Sequence, residues 1–146
     1  MFRNTALTLM LILGGLQLQA AGPAIVVYKT RTCGCCGKWV DHLKAKGFKP
    51  EVREVPSTAE ARKQNNVPDN LASCHTAVVN GYAIEGHVPA EDIHRLLKQK
   101  PKAKGLAVPG MPNGSPGMET GRRDAYSVLL FKADGTTSVF QKYPGD

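Results

Sequence analysis

The chain has 146 residues, a formal net charge of +7, 42% hydrophobic residues and four cysteines. That length holds one modest domain with a real core and is too short for two comfortable ones. A basic balance suits an anionic partner. Here, however, the cations are interleaved with acids (Lys44, Lys46 and Lys49 beside Glu51) or gathered at a helix end (Lys98, Lys100, Lys102, Lys104), without the aromatic interleaving that single-stranded nucleic acid uses. The reading is a solvated basic surface with no nucleic-acid partner.

Residues 1–20, MFRNTALTLMLILGGLQLQA, carry Arg3 near the start, an apolar stretch from about Ala6 to Leu16, and small Ala20 and Ala21 at the end. This is the pattern of a secretory signal peptide cut after Ala20, with Ala21 as the other site. The apolar stretch falls short of the roughly 20 residues a spanning helix needs and contains Gly14 and Gly15, so stable membrane insertion after cleavage is not expected. Residues 21–146 then form the exported domain, with a core of about 24–100, a loop over 101–123 and a hairpin over 124–146.

In that domain AIVVYKT reads as a buried strand, and a cysteine cluster follows it at once. CGKWVDHLKAKGF reads as a helix with Val40 and Leu43 on one face and Gly47 as its stop. KPEVREV alternates as a second strand, and Ser57 with Glu60 has the spacing of a capping box opening a short helix. HTAVVNGYAIEGH holds two β-rich runs around Asn80-Gly81, a strong hairpin signal, and VPAEDIHRLLKQK sets Ile93, Leu96 and Leu97 at helical spacing behind Pro89. From Pro101 the chain is dense in Pro and Gly and reads as an irregular loop; AYSVLLFKADGTTSVFQKY then predicts a hairpin turning at Asp134-Gly135, a tail that either extends the sheet or folds back over the site. Strand, helix, strand, helix, hairpin, helix is the order of an α/β, thioredoxin-like fold of glutaredoxin size, here with a Pro/Gly-rich loop and a C-terminal β-hairpin extension.

Three of the four cysteines fall in CGCC, residues 33–36, directly after the first strand, and the fourth is Cys74 in SCHTAVV. Cys33 and Cys36 make a C-x-x-C, which in this fold suggests a thiol–disulfide oxidoreductase. Cys35 is an extra thiol inside that motif and invites competing disulfides. A thioredoxin-like fold packs the loop before the hairpin against the C-x-x-C, normally through a cis-proline; this chain has Cys74 and His75 there. On that fold all four sulfurs and one imidazole converge at one end of the sheet. Such soft ligands select Cu(I), Zn(II) or an iron–sulfur cluster, and adjacent Cys35 and Cys36 suit bridging thiolates around copper better than a closed zinc tetrahedron. Thiol redox chemistry and plain structural disulfides are the alternatives, since four cysteines allow three complete pairings.

The segments CGCCGKWVDHL, SCHTAVVNGYAIEGHVP and GLAVPGMPNGSPGME together resemble the CopG-like family of periplasmic copper-resistance proteins, over nearly all of residues 21–146. The resemblance implies an exported protein of copper resistance and homeostasis, binding copper through Cys33, Cys35, Cys36 and Cys74, with a multinuclear Cu(I) cluster bridged by cysteine as the expected form. Copper ions and other periplasmic copper-handling proteins are the expected partners. Interconversion of Cu(I) and Cu(II), an oxidoreductase-like activity, has the standing of a proposal for such proteins.

Around this set, His75 is a candidate ligand or a donor that orients one. Glu85 and His87 lie where the hairpin runs out, as outer ligands, proton carriers or plain surface residues. Met111 and Met118, in the Pro/Gly loop, are either soft thioether ligands to copper or gap-fillers against the core. Trp39 reads as packing rather than a contact to a bound group, and His42 and His94 as solvent-facing helix residues.

Overall fold

The structure, a computed structural model, describes residues 22–146; the signal peptide read at 1–20 lies outside the described residues. Its elements are β1 (Ala24–Lys29), α1 (Gly34–Ala45), β2 (Lys49–Glu54), α2 (Ala59–Gln64), a single 3-10 turn (Asp69–Leu71), β3 (His75–Val79), β4 (Tyr82–Glu85), α3 (Ala90–Gln99), β5 (Gly105–Ala107), β6 (Tyr126–Phe131) and β7 (Thr137–Tyr143). They build a mixed α/β domain around one seven-stranded sheet in the order β2-β1-β3-β4-β5-β6-β7. β1 is parallel to β2 and antiparallel to β3, β4 is parallel to β5, and the remaining neighbours are antiparallel.

Two apolar faces hold the sheet. On one, Ile25 and Val27 of β1, Ala77 and Val79 of β3 and Ile84 of β4 meet Trp39, Val40 and Leu43 of α1 and Ile93 and Leu96 of α3. Cys36, Trp39, Val40 and Leu43 recur at the three- and four-residue spacing that makes one helical stripe, which is why α1 turns that side to the sheet core. On the other face, Ala83, Ala107 and Phe131 are covered by Val67 and Leu71, in the segment after α2. No helix among the described residues is long and apolar enough to cross a membrane.

Local signals set most boundaries. Gly47, at φ +89°, follows the last turn of α1 in a conformation that costs other residues strain. Asn80 and Gly81 both have positive φ, +47° and +81°, the two-residue turn that joins β3 to β4 in register. At the second hairpin Gly135 is left-handed, and Asp134 Oδ1 accepts both the amide and the hydroxyl of Thr136.

Four expectations change. α1 starts at Gly34 with Cys33 as its N-cap, so Cys35 and Cys36 lie inside its first turn. The Ser57–Glu60 capping box does not form: Thr58 is the N-cap of α2, Ser57 Oγ accepts the Ala59 amide at 3.2 Å, and Glu60 instead accepts from Gln64 at 3.0 Å. The Pro/Gly-rich run contains the short strand β5, which bridges β4 to β6 and so makes the C-terminal hairpin part of the sheet. Finally, of the two alternatives for the C-terminal hairpin, it extends the sheet, and it is residues 113–119 of the Pro/Gly-rich loop that fold back over the cysteines.

Candidate metal centre

The cysteines meet where β1 ends. The chain leaves the sheet at Lys29, the Thr30 carbonyl accepts the Cys33 amide at 3.2 Å, and α1 begins. No side chain caps this helix end and no acid lies in its first turn, so its unpaired amides and dipole favour a thiolate or another anion there. Cys33 and Cys36 form a disulfide with Cα atoms 5.3 Å apart, while Cys35 and Cys74 are unpaired. Cys35 Sγ lies 3.5 Å from Cys33 Sγ and 3.8 Å from Cys74 Sγ, and Cys36 Sγ is 3.7 Å from the Cys74 carbonyl. All four sulfurs fall within 4.8 Å of one another. The thiol distant in sequence is thus adjacent in space, because β3 runs antiparallel beside β1 and delivers its first residues to the β1–α1 turn.

Cys74 is also the centre of a second group, with His75 and His87. Its Sγ is 3.4 Å from His75 Nδ1 and 3.1 Å from His87 Nε2. His87 Nδ1 is 2.7 Å from the Pro116 carbonyl, which can only accept, so the ring proton sits on Nδ1 and the Nε2 lone pair is turned to the sulfur. His87 is fully buried, which overturns its reading as a plain surface residue. Burial lowers its pKa, and burial together with the neighbouring His87 lowers that of His75 to about 3. Both rings are therefore neutral at physiological pH, the form that binds metals. Burial, and then Cys35, pushes the Cys74 thiol up to about 12. A thiol in that state loses its proton readily only when a metal ion binds the sulfur and displaces the proton to solvent.

Glu85 is not aimed at the sulfurs. It is fully buried; one carboxylate oxygen accepts the Ser73 amide at 2.7 Å and the other accepts the Thr76 hydroxyl at 2.6 Å. Those two bonds bracket Cys74 and His75 and fix where β3 begins. Burial raises its pKa, while Thr76, Ser73 and Arg62, whose Nη1 lies 3.9 Å away, oppose the rise.

A strap closes the site from above. At Gly117, φ +90°, a Cβ would stand 2.7 Å from the Cys35 carbonyl and 3.0 Å from the Trp39 amide, so only glycine lets this backbone rest on the first turns of α1. The Glu119 carboxylate accepts the Gly117 amide through both oxygens at 3.0 Å and holds the strap in shape. Met111, in the same Pro/Gly run, is 52% exposed, and Met118 is half-buried.

Trp39 is packing, as expected, but it is also a wall of the site: its ring lies 4.3 Å from that of His75, and its indole N–H donates to Val88 at 2.9 Å. His42 is not solvent-facing, since Nε2 accepts the Ala90 amide at 3.1 Å and caps α3. His94 is exposed, stacks on Phe48 with centroids 4.3 Å apart, and bonds the Lys46 carbonyl. The Pro116 carbonyl and Gly117 escaped the sequence reading; the one signal available was the density of glycine and proline in PGMPNGSPGM.

The donor set tests whether a metal fits. Four sulfurs in one group, and Cys74 with two neutral imidazoles in a second that shares that sulfur, form a soft, polarizable set, and His75 Nε2 is a buried nitrogen without a hydrogen-bond partner among the described residues, so that ring is not placed for structural bonding alone. The arrangement suits a soft cation.

Among known proteins, residues 71–118 match a family model described as a protein of unknown function, DUF411. No curated protein matches the chain. Two solved structures, copper resistance protein CopG in form 1 and form 2, are 45% and 44% identical to it; they cover 85% and 84% of this chain and 99% of their own, each with a TM-score of 0.81. Identity of that degree over nearly the whole described domain makes this chain a member of the CopG family of copper resistance proteins.

Proposed function

We propose that this protein is exported to the periplasm and contributes to copper resistance by binding Cu(I) in a cysteine cluster. Cys33, Cys35, Cys36 and Cys74 supply thiolates, and the buried rings of His75 and His87 lie beside Cys74 as further ligands. The observation that carries this reading is the position of Cys74 Sγ, 3.8 Å from Cys35 Sγ and 3.1 Å from His87 Nε2, a sulfur brought across the sheet into a set no disulfide requires. The names of the related structures support copper as the cargo. Crowded sulfurs favour a bridged, multinuclear site, since Cu(I) accepts two or three ligands and shared thiolates. A thioredoxin-like core is supported by the order β2-β1-β3-β4 with α1 and α3 on one face. Met111 and Met118 remain candidate thioether ligands carried by the loop that covers the site, and other copper-handling proteins of the same compartment are the partners this reading calls for.

Binding through all four sulfurs requires reduction of the Cys33–Cys36 disulfide, two electrons and two protons giving two thiols. The test is titration of the reduced protein with Cu(I), beside single Cys→Ser variants. Wild-type stoichiometry surviving Cys74→Ser would remove the convergent site.

The disulfide itself supports a second reading, a thiol–disulfide oxidoreductase using Cys33 and Cys36, with Cys35 Sγ 3.5 Å from Cys33 as an internal attacking thiol. Disulfide exchange with a protein substrate, undiminished by a copper chelator, would favour it over copper binding.

A further inference from the structure

Lys29 is the last residue of β1, and its side chain lies on the same face as Ile25 and Val27, only 7% exposed. A lysine is seldom buried to that degree without a partner of opposite charge, because its ammonium loses hydration. Lys29 has no such partner among the described residues. Its Nζ donates to one group, the Thr30 carbonyl at 2.9 Å. Its register neighbour on β2, Glu54, turns its carboxylate to Arg31 at 3.0 Å.

What lies around it instead is the metal centre. The Thr30 carbonyl that receives the ammonium also receives the Cys33 amide at 3.2 Å, so the charge sits directly behind the turn that carries the first cysteine. On β3 the residue in register with Lys29 is His75, on the same face of the sheet.

We infer that Lys29 is the fixed countercharge of the metal–thiolate site, offsetting the negative charge that thiolates carry whenever fewer monovalent ions than thiolates are bound. The inference rests on the copper-binding reading above. A lone cation in a core destabilises the metal-free fold, and the same cation beside an anionic cluster is compensated. Stability given up without metal returns as affinity for the first ions bound, the trade expected at a functional site.

Lys29→Leu in the full, reduced chain tests this, read by competition for Cu(I) against a chromophoric chelator and by urea unfolding of the metal-free protein. Loss of the one charge bonded to the carbonyl that also receives the Cys33 amide should weaken binding of the first Cu(I) equivalent by about 10- to 100-fold. The urea midpoint of the metal-free variant should rise, because an apolar side chain replaces an unpaired cation. Lys29→Arg should keep the affinity within about threefold of wild type, as charge is retained. A purely structural lysine would move both readouts in the same direction. First-equivalent affinity in Lys29→Leu within about twofold of wild type overturns the inference, as does a fall in midpoint accompanying a fall in affinity. Failure of the wild type itself to take up Cu(I) overturns the copper-binding reading and this inference with it.

Discussion

The two hairpins of this domain begin from the same kind of signal and end differently. Both turn on a glycine of positive φ, Gly81 and Gly135, and both pair antiparallel. In the first, His75, Thr76 and Glu85 are fully buried, as is His87 just beyond it. In the second, only Val128 and Phe131 are buried, β7 lies at the sheet edge, and Val139 is 53% exposed. Its polar contacts fasten rather than react: Tyr143 donates to Asp92 at 2.7 Å, and Arg95 lies 3.7 Å over the Phe140 ring. Buried polar groups oppose folding unless they are well partnered. Their concentration at one end of the central strands, and their rarity in the outer hairpin, separates the part of the sheet that carries chemistry from the part that closes the fold.

Substitutions in the two hairpins should therefore act on different observables. The largest effect belongs to Cys74→Ser, which should lower Cu(I) affinity by more than about 100-fold while leaving the circular dichroism of the fold intact; Cu(I) competition titration measures it. Glu85→Ala comes next. It strands the Ser73 amide and the Thr76 hydroxyl, each buried donor costing about 1–3 kcal/mol, so urea unfolding should show a loss of about 2–4 kcal/mol together with weaker copper binding through a displaced Cys74.

Acid sharpens the same contrast. His75 titrates at about 3 in the fold against 6.5 when unfolded, so below pH 6.5 the unfolded chain binds the proton first. The contribution of this residue is complete above pH 6.5 and is lost by about 1.4 kcal/mol per pH unit as pH falls toward 3. The difference in urea stability between metal-free wild type and His75→Phe, measured from pH 7 to pH 4, should follow that slope. The smallest effect is Tyr143→Phe in the outer hairpin, which removes one hydrogen bond to Asp92 and should cost about 1 kcal/mol with copper stoichiometry unchanged. A change of stoichiometry there would erase the distinction between the two hairpins.

The parts of this architecture legible in the sequence are those set by neighbours along the chain. Gly47, Asn80-Gly81 and Asp134-Gly135 announce their turns because backbone conformation is decided within a few residues, and C-x-x-C after an apolar strand announces the β1–α1 junction. Cys74 joined the cluster only through a reading of the fold, since 38 residues separate it from Cys36. What was hidden depends on partners far away. β5 is only three residues long and exists because β4 and β6 offer it their edges. Whether His87 is an outer ligand, a proton carrier or a surface residue is open in the sequence until Pro116, 29 residues on, supplies the carbonyl that orients it. His42 reads as exposed until the uncapped amide of Ala90 is brought to its ring. In Ser57-Thr58-Ala59-Glu60, Thr58 takes the cap position one residue later than the box spacing predicts, and Arg62 engages its hydroxyl at 2.8 Å.

The most direct test of the central claim, that the sulfur of Cys74, just before β3, completes a copper site begun by three sulfurs at the start of α1, is copper K-edge X-ray absorption on the reduced, Cu(I)-loaded protein and on Cys74→Ser. The expected result is a Cu(I) edge with a sulfur-dominated ligand shell in the wild type and measurably fewer sulfur neighbours in the variant. A shell of nitrogen and oxygen alone, or a sulfur count identical in the two proteins, would contradict it.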